Sequence, residues 1–355
     1  MKDFAKNGSE YITSLIAEAV ENGTRIATVT GKYEIEWAIR LPSDFTLILE
    51  NCHLCMADGV YSNMFVNEHH DTELGKTLAG TDRNISILGK GEAILDGGKY
   101  NGLSEKNSMK YGLPHISKNN LLLFTNVDGF TVRDFACHNQ RWWALNFIYC
   151  RNGYLGNLYF QSSDLAIDEN GNEYHGLKRD QYHDVVVKNS DGIDLRQGCN
   201  RVTIENITGF TEDDTVALTN LNGWQEKRYC VEGLPSDISH VTIKNVKASA
   251  YCSIIRLLNQ GELKLHDVSI ENVYDTSAEC PFLDRGRYCV RVGDANHLYG
   301  ERHSTVDETY NISIKNIYGR GQSVMHLAGA IGNLTIENAN AMDGVPLVED
   351  FRTQA

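Results

Sequence analysis

The chain has 355 residues, 41% of them hydrophobic and 23% charged, which is ordinary globular usage, and no apolar run approaches the roughly 18 residues that span a bilayer. Disordered, collagen-like and membrane-spanning classes are excluded. Asp and Glu outnumber Lys and Arg by 47 to 33, a net charge of −14 that repels nucleic-acid phosphates and anionic lipid, so neither nucleic acid nor membrane is an expected partner.

Residues Met1 to Gly8 hold neither an apolar h-region nor a small-residue cleavage site, which gives a cytoplasmic protein as the expectation. Ile12, Leu15, Ile16, Ala19 and Val20 then recur at helical spacing, predicting an amphipathic helix over 9–22 with Ser9 capping its start and Gly23 its end. Cys52-His53-Leu54-Cys55 is half of a zinc site with nothing further along the chain to complete it, so buried thiols are expected there and neither metal nor cofactor is called for. Nine cysteines, an odd number spread along the chain, fit reduced thiols better than a disulfide scaffold. Trp142 and Trp143 precede a predicted strand, where either alternation turns one ring into the core and the other outward for stacking on a sugar, or both pack in the core. Asp168, Asn170 and Asn172 start like a calcium loop, but Glu173 occupies the position that needs Gly.

The second half of the chain repeats one phrase, at Thr203-Ile204-Glu205-Asn206, Thr242-Ile243-Lys244-Asn245, Ser269-Ile270-Glu271-Asn272, Ser313-Ile314-Lys315-Asn316 and Thr335-Ile336-Glu337-Asn338. The intervals are 39, 27, 44 and 22 residues, of which 44 is twice 22, so the unit is expected to be one coil of about 22. Each phrase alternates apolar and polar residues, as a strand does, and ends on an Asn that tolerates the left-handed conformation of a sharp bend. Stacked short strands of this kind predict a right-handed parallel β-helix, a single solenoid domain over 1–355 with coils over 24–345, about three sheets, and the 9–22 helix plugging its end. Five prolines in the whole chain agree, since proline removes a ladder donor. The irregular stretches 101–119, 161–183, 220–237 and 274–309 read as loops projecting from the coils.

The acidic residues Asp191, Asp213 and Asp214 lie about one coil apart, 213 − 191 being 22, and are expected on one face of neighbouring coils. Crowding raises at least one of their pKa values and creates a proton donor beside anionic acceptors, the equipment of a glycosidase. A separation of roughly 6.5–9.5 Å would admit a water between acid and base and invert the anomeric centre. Asp194, two positions past Asp191, reads as a ladder or turn residue. Arg141, Tyr251, Arg256 and Arg291 are candidate contacts for sugar hydroxyls or carboxylates, the alternative for each being a solvated surface residue.

Asn189-Ser190-Asp191-Gly192-Ile193-Asp194, Val202-Thr203-Ile204-Glu205-Asn206 and Asp213-Asp214-Thr215-Val216-Ala217-Leu218 together resemble the polygalacturonase family, glycoside hydrolase family 28. Asn84-Ile85-Ser86-Ile87-Leu88-Gly89 and Trp142-Trp143-Ala144-Leu145-Asn146 are similar to its early coils. The resemblance implies a pectin-lyase-like β-helix, metal-free inverting hydrolysis of a pectin-like oligosaccharide or polysaccharide, Asp213 as general acid, Asp191 and Asp214 holding the water, and Asn189 beside the substrate. Where the family carries Gly-His-Gly, this chain has Ala250-Tyr251-Cys252, and where it carries Arg-Ile-Lys, only Arg291 of Val290-Arg291-Val292-Gly293 remains. One cation of the carboxylate-binding pair is thus missing, which makes a neutral or mixed glycan, or a short uronic-acid oligomer, as plausible as polygalacturonate. Short substrates and projecting loops suggest exo-action. A uronate lyase or epimerase and a non-catalytic glycan-binding module stay open as alternatives, and so does the oligomeric state.

Overall fold

The computed structural model describes residues 3–99, 118–140, 142–167, 170, 172–176, 178, 189–221, 227–296 and 299–353. Its two large sheets have ten strands each, every pairing parallel and every strand between the first and the last hydrogen-bonded to the coil before and the coil after. The architecture is a right-handed parallel β-helix, as the repeat predicts. The first sheet runs from Ile26–Ile35 to Gly332–Ala341 in long strands, the second from Ile39–Leu41 to Val348–Arg352 in short ones. Two sheets replace the three expected because each long strand bends at an Asn without breaking its ladder, and so forms two walls of the coil.

That bend is built by the residue closing the repeated phrase. Asn157, Asn206, Asn245, Asn272, Asn316 and Asn338 all hold φ between 53° and 59°, and each side-chain amide donates to the Asn or Asp one coil below over 2.8–3.2 Å. Asn accepts this conformation at less cost than a branched residue, and stacking satisfies its amide. Consecutive ladder residues pair directly, so the intervals of 39, 27, 44 and 22 residues are each a single coil. The unit-and-multiple reading of those intervals is corrected: the surplus over 22 is loop, inserted where the sheets end.

The phrase's Ile faces inward. Ile204, Ile243, Ile270 and Ile314 are fully buried in register, each contributing about 1.5–3 kcal/mol of burial, and the stack ends at the exposed Ile336 of the last coil. Between them outward positions alternate in charge, with Lys244 pairing Glu205 at 2.7 Å and Lys315 pairing Glu337 at 3.3 Å. At the other end the α-helix Gly8–Glu21 lays Ile12, Ile16 and Ala19 on the first coil, and Gly23 at φ 75° ends it. Ser9 is not its cap. Its hydroxyl lies inside the first turn and bonds the main chain of Glu36 and Trp37, tying helix to sheet. Cys52 and Cys55 are buried thiols, and no disulfide joins any of the nine cysteines. Residues 101–117, Arg141, and within 161–183 Asp168 and residues 169, 171, 177 and 179–183, lie outside the described residues. Among the described residues no helix is long and apolar enough to cross a membrane.

Candidate active site

Asp191, Asp213 and Asp214 stand where two coils turn into the second sheet, just ahead of the strands Ile193–Arg196 and Val216–Asn220. Ile193 pairs with Val216, so the residue across from Asp191 is Asp214, and not Asp213 as the spacing of 22 suggests. The main-chain N–H of Asp214 donates to Asp191 Oδ1 at 3.0 Å, and Asp213 projects beside the pair. Gly192 fits because a side chain there would strike the Thr215 carbonyl at 2.5 Å. Behind the turn the buried Glu212 accepts the Ser190 N–H at 2.9 Å, and the Ser190 hydroxyl donates to the Gln140 carbonyl at 2.9 Å, which locks the turn against the previous coil. Asn189, half-buried at φ 54°, starts it.

The three carboxylates have oxygens all within 4.8 Å of one another. That is closer than the 6.5–9.5 Å expected between an inverting acid and base, because both coils turn at the same place and the rung spacing sets their distance. It is also about the span that a single water, or a cation, bridges between two oxygens. Burial pushes the Asp191 carboxyl well above its ordinary value, and the charges of Asp194, Asp213 and Asp214 add to the effect. Burial also raises Asp214, against the pull of Arg256 and Arg291. The Ser253 main chain donates to Asp214, while its buried Oδ1 has no partner among the described residues. Crowding of this kind favours the protonated form of one acid and leaves an acceptor oxygen uncommitted.

The outward row of the second sheet runs through this site. Val66, Leu123, Asn146, Asp194, Ala217, Arg256, Arg291, His326 and Glu349 follow one another in register. Arg256 and Arg291 are not solvated surface residues. Both are held by Asp294, Arg256 at 3.1 Å, and they stand on adjacent rungs beside Asp214. Arg256 thereby supplies a second cation next to Arg291, correcting the sequence-level inference that only one survives. Asp194 is fully buried 3.6 Å from Arg196, whose guanidinium lies 3.4 Å from the centroid of Trp143. The expectation of an outward-facing tryptophan is therefore corrected: Trp142 and Trp143 are 5% and 4% exposed, and Arg196 covers the ring of Trp143. Tyr251 is half-buried beside the acids with Arg287 5.3 Å from its ring, one coil on from the turn that carries Asp213.

Sequence reasoning missed Asp294, Glu212 and the place where the 220–237 loop packs. Asp294 was signalled only by its position three residues past Arg291. Residues 227–236 fold back over the early coils, where Tyr229 and Val231 bury Val66, Leu123, Ile148 and Tyr149. Arg228 donates to Asp71 at 2.6 Å, the rings of His70 and Tyr229 stack at 5.3 Å, and Tyr149 Oη meets Ser236 Oγ at 2.7 Å. Burial pushes the His70 pKa down to about 4, so this contact is neutral at physiological pH.

Residues 63–238, which include all three acids, match the family model described as glycosyl hydrolases family 28. No curated protein matches the chain. Among solved structures, an iota-carrageenase complexed to iota-carrageenan fragments shares 10% identity at a TM-score of 0.58, over 100% of this chain and 90% of that one. A hyperthermoactive exopolygalacturonase from Thermotoga maritima shares 14% at 0.53, over 92% and 82%. A 1,3-α-1,4-β-D-galactose-4-sulfate-3,6-anhydro-D-galactose-2-sulfate 4-galactohydrolase shares 12% at 0.57, over 92% and 81%. At these identities the structures speak for the fold, while the family match speaks for the chemistry. The chain is a polygalacturonase-like glycoside hydrolase on a parallel β-helix, with its family-28 resemblance carried by residues 63–238.

Proposed function

We propose that this protein hydrolyses a pectin-like, uronate-containing oligosaccharide from one chain end, with inversion. Three carboxylates converging within 4.8 Å, one oxygen of Asp214 uncommitted, carry the reading. Asp213 gives its proton to the departing glycosidic oxygen. Asp191 and Asp214 hold the attacking water and accept its proton as the C–O bond breaks and the new one forms. The Arg256 and Arg291 guanidiniums share one carboxylate and leave an unbalanced positive charge beside Asp214, which suits a substrate carboxylate. The relatives of known fold whose names state a substrate include an exopolygalacturonase and an iota-carrageenase, and this chain's acids and paired arginines fit a charged glycan of that general class.

Support for exo-action comes from the 227–236 loop, which covers the outward row at Val66 and Leu123, so a glycan lying along the row meets a wall at the early coils. Only a chain end enters such a site. Digestion of a galacturonan or rhamnogalacturonan, followed by chromatography, should show one small product accumulating from the first minutes with no ladder of intermediates. A ladder of internal fragments would contradict end-wise cleavage.

The carboxylate spacing itself favours a second reading, a retaining double displacement, because roughly 5–5.5 Å is the separation that lets one acid attack the sugar directly. The two differ in the anomer first released.

A further inference from the structure

We infer that the outer face of the first sheet carries a second glycan-binding site, for a neutral sugar, in an open hollow of about 390 Å³ beside Tyr159. Such a site adds to the proposed hydrolysis and is independent of which acid gives the proton. Its floor is a row of outward positions in register, Ile94 pairing with Ala136 and Ala136 with Tyr159. Only a methyl group stands on the middle rung, so the row dips between Ile94 and the tyrosine ring. One lip comes from an irregularity in the strand Asp82–Asp96, which advances six residues from Leu88 to Ile94 while the strand Val127–His138 advances three, from Arg133 to Ala136. The surplus bulges from the ladder. Gly91 takes φ 69° there, and the Glu92 N–H donates to Asn51 Oδ1 at 3.2 Å. Glu92 is thereby set at the edge of the hollow, its side chain exposed and its carboxylate without a partner among the described residues.

Tyr159 is 42% exposed, yet its ring is braced: the hydroxyl donates to Gln161 Oε1 at 3.2 Å, and the His138 ring meets it edge-on at 6.2 Å. A ring held in this way offers a flat apolar surface to the C–H face of a sugar at little cost in side-chain freedom. The hydroxyls at the sugar's rim need acceptors, and the uncommitted Glu92 carboxylate supplies one through charge-assisted hydrogen bonds. Asp134 and Asn157 form the opposite rim, where the Asp134 carboxylate is already engaged by Arg133 and by the Asn157 amide at 2.8 Å. Among the described residues no Lys or Arg lines the hollow, so a uronate carboxylate would meet two like charges there. Beside Asp214 the charges of Arg256 and Arg291 do the reverse. The two sites thus sort the parts of a mixed glycan by charge, and the volume of the hollow suits roughly one or two sugar rings. Tyr159 stands two residues before the end of the strand Arg151–Gln161, on the coil that goes on to carry Asp191. A neutral branch or stretch seated here keeps the rest of the same glycan near the acids and raises its effective concentration.

Isothermal titration calorimetry tests the site, with galactotetraose, cellotetraose and arabinotetraose as neutral probes and tetragalacturonate as the charged one. The proteins compared are the native chain, Tyr159→Ala, Tyr159→Phe and Glu92→Gln. At least one neutral probe should bind the native protein with a Kd on the order of 1 mM, the scale of one stacked ring and a few hydrogen bonds after the costs of association. Tyr159→Ala should weaken that binding about tenfold or more and Glu92→Gln about threefold. Tyr159→Phe keeps the ring and should stay within about twofold. Tetragalacturonate should bind the native protein and Tyr159→Ala alike, because its carboxylates are excluded from the hollow. No binding of any neutral probe, equal neutral-probe affinity in the native protein and Tyr159→Ala, or a tetragalacturonate affinity that falls with Tyr159→Ala would each overturn the proposal. Should Tyr159→Ala not fold, Glu92→Gln, altered at an exposed side chain, carries the same comparison, and an unchanged affinity there overturns it too. The titrations need no turnover, so a native protein that cleaves no glycan ends the hydrolase reading and leaves this result standing or falling by itself.

Discussion

Asp213→Asn is expected to reduce turnover by about 10²–10⁴-fold, the range general acid catalysis supplies, while the variant melts within a degree or two of the native protein. The side chain is half-buried and lies outside the hydrophobic clusters, so its amide removes a proton and little packing. Asp191→Asn provides the contrast. Burial and three neighbouring acids hold the Asp191 pKa well above 3.8, so the folded chain keeps a proton that the unfolded chain gives up. Below the unfolded value both states are protonated and the site costs nothing. As the pH climbs from there through the folded value, the unfolded state ionises freely while the native one resists, and native stability falls. An Asn at 191 cannot ionise and can still accept the Asp214 N–H, so this variant should be inactive yet melt above the native protein at neutral pH, the gap closing toward pH 4. Activity assays and melting curves across pH check both variants. An Asp213→Asn protein that unfolds would make Asp213 structural.

The second large effect concerns Asp294, which sits 4% exposed between two guanidiniums. Burial, and then the charge of Arg291, already pull the Arg256 pKa down, and Asp294 is one of the anions that offset them. Asp294→Ala leaves Arg256 and Arg291 facing each other on adjacent rungs with one carboxylate fewer. Breaking a buried pair from one side costs about 3–5 kcal/mol, far more than the pair contributes when intact, because the desolvation of the remaining charge is no longer compensated. Urea denaturation should show that loss, with Asp294→Asn retaining part of it through the amide oxygen. A change below about 1 kcal/mol in the Ala variant would mean that water reaches the arginines readily and that the ion cluster is not a buried element of the site.

Much of the fold was legible because one phrase does two jobs. Its Ile repeats every coil and faces inward, and its Asn repeats every coil and bends the chain, so strand direction, corner and stacking are all encoded locally. The length of a coil was less legible: intervals of 39 and 44 residues are single turns of the helix, since loops lengthen a coil without altering its strands. Asp191, Asp213 and Asp214 were found because a motif and a spacing both pointed to them. Their register was off by one residue, as inserted turn residues move it freely. What stayed hidden depends on contacts between distant segments. Nothing near Trp143 announces that Arg196 will cover its ring, and nothing near Tyr229 announces that it will cross four coils to lie against His70. Arg256 could be named as a contact, but its pairing with Arg291 follows only from the register of adjacent rungs.

The arrangement of these acids around a hydrolytic water is tested most directly by proton NMR of the sugar released in the first minutes of reaction, before mutarotation mixes the anomers. Attack by a water held between Asp191 and Asp214 predicts a product of inverted anomeric configuration with a saturated ring. A retained anomer would show that a carboxylate attacks the sugar itself, and a signal from an unsaturated ring would show that the bond is cleaved by elimination, without a hydrolytic water.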